Sequence, residues 1–169
     1  VLHLLRRIPA EGPDSGWVGR EIGAATVGLI GMAPAARTTA QMLAGFGSRV
    51  VGYDPSVHAN DAVWGRWKIQ PLGLRELLAQ SDAVCVQLNY FSRYRGLLGE
   101  RLLHSCKPGQ VVVSIAHSEL FDESALALAL SSGRIAAAWF DSMEPGALEA
   151  DRPLSRATNL QVTPRLAST

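Results

Sequence analysis

Apolar residues fall along this chain in short continuous runs, separated by stretches in which they recur every three or four positions. Thr26-Val27-Gly28-Leu29-Ile30-Gly31 is β-branched and apolar and ends in glycine, which predicts a buried strand. Thr38 to Phe46 then carries helical spacing and stops at Gly47, a natural C-terminal cap. Arg49-Val50-Val51-Gly52-Tyr53-Asp54-Pro55 predicts a second strand closed by proline, which completes one strand-helix-strand unit. The alternation continues through helix Leu72 to Ala79, strand Ala83 to Leu88, helix Glu100 to Cys106, a Lys107-Pro108-Gly109 turn and strand Gln110 to Ile115. Helix Asp122 to Ser131 ends near Gly133, and strands Ile135 to Asp141 and Leu160 to Thr163 follow. Continuous apolar strands alternating with helices predict a doubly wound α/β domain, its parallel sheet covered on both faces. The opening Val1 to Arg7 reads as a helix, joined to the sheet by the Gly/Pro-containing lead Pro9 to Gly19.

Composition narrows this picture. The chain is 169 residues long, 47 % hydrophobic and 18 % charged, enough for one core, and residues 1–169 read as a single domain. Sixteen basic and fifteen acidic residues nearly balance, and no Lys/Arg run exists to neutralise a row of phosphates, which argues against nucleic acid. No eighteen-residue apolar run occurs, so no membrane span is expected. Cys85 sits in an apolar run and Cys106 stands alone, so both read as buried thiols of a reducing, cytoplasmic compartment. No His/Cys/carboxylate set has metal-site spacing, and His3, His58 and His104 read as surface or cap residues. Trp64 and Trp67 lie in a loop-like stretch and are expected to be partly buried rather than a stacking platform.

Gly31-Met32-Ala33-Pro34-Ala35-Ala36 carries the first strand directly into a helix, placing free N–H groups and the positive helix end where a pyrophosphate would sit. Asp54, about twenty positions on, stands where an acidic residue holds ribose hydroxyls, and no arginine follows it immediately, a pattern of NAD rather than NADP. Only the first glycine of the phosphate fingerprint is present. Ala33 puts a methyl at the second position and Pro34 removes a donor, so the pattern is compatible with weakened binding or with a plain strand-to-helix turn.

From Gly19 to Thr169 the segments resemble the D-isomer-specific 2-hydroxyacid dehydrogenases. The resemblance is carried by Val27-Gly28-Leu29-Ile30-Gly31, Gly52-Tyr53-Asp54-Pro55, Arg95-Gly96-Leu97-Leu98, Lys107-Pro108-Gly109, Asp122-Glu123-Ser124-Ala125-Leu126, Ser132-Gly133-Arg134-Ile135-Ala136 and Asn159-Leu160-Gln161-Val162-Thr163-Pro164. It implies the Rossmann-type NAD-binding half of a two-domain protein, with the substrate domain not represented, and pairing into a homodimer. It also implies cofactor contacts at Gly31, Ala33, Pro34, Ala35, Asp54, Asn89, Ile115, Ala116 and Asp141. The absence of an initial Met, with the chain opening directly in a helix, carries the further expectation that something precedes it.

The family interconverts 2-hydroxy and 2-oxo acids with an arginine for the substrate carboxylate, a histidine as acid/base and a supporting glutamate. The matching positions here hold His117, Arg165 and Gly146, with Glu144 two residues early. All three roles are vacated, and loss of an acid/base alone costs about 10²–10⁴ in rate. Two readings stay open: a non-catalytic relative that keeps the fold for nucleotide or protein binding, and an enzyme in which His117 and Arg165 have exchanged roles. Asn89, Phe91 and Tyr94 replace the family's proline and threonines beside the nucleotide, where the aromatics either fill the space or stack on adenine.

Overall fold

The computed structural model describes residues 21–166; the helix expected at Val1 to Arg7, the Pro9 to Gly19 lead and His3 lie outside them. The described residues form strands β1 (Thr26–Ile30), β2 (Arg49–Tyr53), β3 (Gln70–Pro71), β4 (Ala83–Val86), β5 (Gln110–Ser114), β6 (Ile135–Phe140) and β7 (Leu160–Val162). The helices are α1 (Pro34–Gly45), α2 (Ala62–Arg66), α3 (Leu74–Gln80), α4 (Glu100–Leu103) and α5 (Glu123–Ser131). All strand pairs are parallel, in the order β3-β2-β1-β4-β5-β6-β7. This is the doubly wound arrangement that the alternation of runs and periodic stretches predicts. The reversal of direction between β1 and β4 makes the switch point at which such sheets bind ligands.

Burial on both faces explains the continuous apolar strands. On one face Leu77, Leu78, Leu103, Leu126 and Leu130 close over Ile30, Val84, Val86, Val112 and Phe140. On the other, Ala40, Leu43 and Trp64 close over Val27, Leu29, Val50 and Cys85. Polar residues inside the layers tie neighbouring elements together. Gln110, fully buried, donates through Nε2 to the carbonyls of Leu78 and Ser81 at 2.7 and 2.8 Å, joining α3 to β5. Asn159 donates to the carbonyls of Leu130, Ile135 and Ala136, which fixes the approach to β7. Asp122 caps α5 by accepting from the Ala125 N–H at 2.8 Å.

Three local expectations change. The first helix begins at Pro34 rather than Thr38, because proline at the first helical position needs no N–H partner and its fixed φ suits the turn. The segment around Trp64 is helix α2 and not a loop: Asp61 caps it from the Val63 N–H, and Trp64 is 4 % exposed with its Nε1 donating to the His58 carbonyl at 2.9 Å. Strand β3 has no hydrophobic signature and is an edge strand containing Pro71, the position where a proline costs no ladder hydrogen bond.

Candidate functional site

The residues proposed from the sequence for cofactor binding and catalysis lie beyond the carboxyl ends of strands, so the parallel sheet gathers them along one end. Ile30 pairs with Tyr53, which sets Gly31 and Asp54 at the ends of adjacent strands. Gly31 adopts φ +104°, and a Cβ there would stand 2.7 Å from backbone atoms of Gln87 and Leu88. Only glycine lets β1 turn so close to the end of β4. The Gly31 N–H reaches the Tyr53 carbonyl at 2.8 Å, and the Met32 N–H reaches Asp54 Oδ2 at 2.8 Å. Asp54 Oδ1 accepts from Ser56 N and Oγ at 2.8 and 2.6 Å. An ionised carboxylate has about four acceptor positions, so the Asp54 carboxylate braces the turn with room left for a ribose hydroxyl.

Ala33 occupies the N-cap of α1 with no side-chain cap, and Pro34 and Ala35 are exposed. The N–H groups of Ala35 and Ala36 fall in the first turn, where a helix supplies no acceptor of its own. A twelve-residue helix pointing its uncapped, positive end across a glycine turn toward a braced carboxylate fits a dinucleotide: Asp54 for ribose hydroxyls, Ala35 and Ala36 N–H for pyrophosphate. Ala33 and Pro34 reduce the fit by one methyl and one missing donor.

The second cluster follows β4, β5 and β6. Ile115 extends the β5 ladder to the Val86 carbonyl, Ala116 is buried, and His117 comes next. His117 caps the 118–120 turn, its Nδ1 accepting the Glu119 N–H at 3.4 Å, while Nε2 stands 3.3 Å from Glu144 Oε1. Its ring stacks on Tyr90, centroids 4.4 Å apart and planes within 18°. The Glu119 carboxylate is 3.8 Å from Nδ1 on one side and paired with Arg95 at 2.7 Å on the other. The Glu119 carboxylate near the Tyr90 hydroxyl raises the phenol pKa, and desolvation adds to this. The Glu144 N–H donates to Ser118 Oγ at 3.3 Å, so the 117–118 and 144 segments are joined twice.

Gly146, at the expected glutamate position, has φ +81°, and a Cβ there would meet the Glu149 carboxylate at 3.0 Å. Arg165, at the expected histidine position, has φ +50° and an exposed side chain, its N–H held by the Asp141 carbonyl at 2.6 Å. Asp141 is 5 % exposed and its Oδ1 accepts from Thr163 Oγ1 and the Leu166 N–H at 2.9 and 2.8 Å. That carboxylate therefore secures the turn after β7. Asn89 is exposed beyond β4, and Phe91 and Tyr94 pack edge to face at 5.9 Å with the Arg93 guanidinium over both rings.

Sequence reasoning did not single out Tyr90, Glu119 or Arg37 as site residues. Glu119 and Tyr90 acquire meaning only through contact with His117, and for Tyr90 no spacing rule predicts such a contact. Arg37 carries a usable signal, a cation in the first turn of the helix that follows the glycine turn.

This arrangement defines a dinucleotide-binding domain of the Rossmann type. Residues 6–167 match the model of the D-isomer specific 2-hydroxyacid dehydrogenase NAD binding domain, and the chain belongs to that family. It is 36 % identical to D-3-phosphoglycerate dehydrogenase of Mycobacterium tuberculosis over 99 % of this chain and 33 % of that protein. It is 33 % identical to (S)-sulfolactate dehydrogenase of Chromohalobacter salexigens over 96 % of this chain and 52 % of that protein. The chain therefore spans a third to about half of these relatives. The fold superposes on D-lactate dehydrogenase with NAD+ from Lactobacillus jensenii with a TM-score of 0.78, at 24 % identity, covering 94 % of this chain and 50 % of that one.

Proposed function

We propose that this domain binds NAD(H) for a D-2-hydroxyacid dehydrogenase-like protein in which the ordinary interconversion of 2-hydroxy and 2-oxo acids is impaired. Bound NAD(H) carries the hydride in this chemistry; the protein's part is to seat it and to supply a carboxylate anchor and an acid/base. The observation that supports impairment is His117. It stands where the arginine anchor belongs, with Nδ1 turned to the Glu119 N–H and Nε2 to the Glu144 carboxylate. Glu119 and Glu144 beside it disfavour a substrate carboxylate, and both ring nitrogens face protein partners. The left-handed backbone at Gly146 further separates that position from a simple replacement of a glutamate.

The exchanged-role enzyme remains a second reading because of one contact: an imidazole facing a carboxylate at 3.3 Å is the pairing that orients an acid/base. It requires Nδ1 to leave the Glu119 N–H. The proposal extends to a cytoplasmic homodimer completed by a substrate domain outside this chain, supported by the family's two-domain organisation. Calorimetric titration with NADH tests the cofactor half. Saturable binding with one NADH per chain is expected, and no heat change at millimolar NADH would overturn it.

A further inference from the structure

We propose that Arg37 is the phosphate-binding cation of this domain, a role that rests on the reading of the domain as an NAD(H) site. Arg37 lies three residues after Pro34 and four after Ala33 in α1. Helical side chains lean toward the N-terminus and residues four apart share a face, so Arg37 reaches back over the turn that precedes the helix. It is fixed there, its Nε donating to the Met32 carbonyl at 3.0 Å. Met32 is thus held from both sides: its N–H by the Asp54 carboxylate at 2.8 Å, its carbonyl by the Arg37 guanidinium. One residue sets an acceptor for ribose hydroxyls and a cation for phosphate at neighbouring points, matching the order in which a nucleotide presents its sugar and its 5′-phosphates.

Arg37 is set apart by its place in the first turn of α1. Arg95 and Arg152 are paired with Glu119 and Glu123, Arg49 donates to Gln70 and Gln80, Arg93 to the Tyr94 hydroxyl and Arg134 to the Cys106 carbonyl, all away from that turn. Among the described residues Arg37 has no carboxylate within ion-pair distance, and its one hydrogen bond uses Nε. The two terminal nitrogens keep four N–H groups in the planar fork that matches a phosphate. The chain needs such a donor here, since Pro34 removes an N–H from the helix start and Ala33 holds backbone away by a methyl. The 5′-phosphates are the partner rather than a 2′-phosphate, because the latter would meet the Asp54 carboxylate.

The test compares the unaltered protein with Arg37→Gln, which keeps a donor for the Met32 carbonyl and removes the charge. Dissociation constants are measured for NADH, ADP, 5′-AMP, 2′-AMP and adenosine, with thermal denaturation as the control for folding. The variant should melt with the parent and bind NADH and ADP about tenfold more weakly, the scale of one charge-assisted hydrogen bond, with adenosine unchanged. Added salt should weaken ADP binding more steeply in the parent than in the variant. Unchanged ADP binding would overturn the proposal, as would an equal loss for adenosine, which would mark a structural role. A loss confined to 2′-AMP would put the guanidinium at the wrong end of the nucleotide and also overturn it. A parent that binds none of these probes would instead remove the cofactor reading beneath it.

Discussion

Replacing Gly31 by alanine should be among the most damaging single-methyl additions to this domain. The new Cβ would sit 2.7 Å from the Gln87 carbonyl carbon, the Leu88 Cα and the Leu88 N, all of them backbone atoms that no rotamer change can move away. Crowding of this kind costs about 1–3 kcal/mol. The φ of +104° adds strain for any residue with a Cβ, on the order of 1–3 kcal/mol. Together these give about 2–6 kcal/mol, which for a chain of this size lowers the melting temperature by roughly 4–24 °C. Gly45→Ala is the control, since nothing lies within 4 Å of a Cβ built there, and it should leave melting unchanged or raise it by up to about 4 °C. Differential scanning calorimetry of both variants measures the difference directly. Gly31→Ala melting within about 2 °C of the parent would show that β1 does not need this turn to pass the end of β4, and the cofactor cradle built on that turn would lose its basis.

Ala33→Gly should tighten NADH binding several-fold without loss of stability, because it removes the methyl at the N-cap and glycine serves there at least as well as alanine; an unchanged dissociation constant would make that methyl harmless. Burial pushes the Cys85 thiol up to about 12 and the Cys106 thiol up to about 11, from ordinary values of 9.0. Both groups therefore favour the folded state below pH 9, and that contribution falls as the unfolded thiols ionise between about pH 9 and 12. Melting temperatures at pH 8 and pH 10 should converge more closely in Cys85→Ala than in the parent, and an identical pH dependence in the two proteins would contradict the burial argument.

The sheet was legible in the sequence because a parallel strand buried on both faces must be continuously apolar, as at β1 and β5, and because Gly47 and Gly133 punctuate the helices. Trp64 was misplaced because α2 is one short turn whose order comes from an Asp61 cap and a tryptophan hydrogen bond, neither of which leaves a period. Gly31 and Asp54 were readable as a pair because strand ends and helix starts are local features. The His117 cluster was not, since Tyr90 and Glu144 reach it from the segments after β4 and β6, on other crossovers than its own. At Gly146 the consequence goes further than the substitution itself: its backbone is left-handed and a Cβ there meets the Glu149 carboxylate, so returning a glutamate meets strain as well as missing partners.

The measurement that bears most directly on the central claim is steady-state oxidation of NADH by the full-length protein in the presence of simple 2-oxo acids, followed by absorbance in the unaltered form and in His117→Ala. With His117 held between Glu119 and Glu144, no turnover above the protein-free rate is expected from either form. Sustained NADH consumption by the unaltered protein, abolished in His117→Ala, would contradict the account and establish His117 as an acid/base in an exchanged-role enzyme.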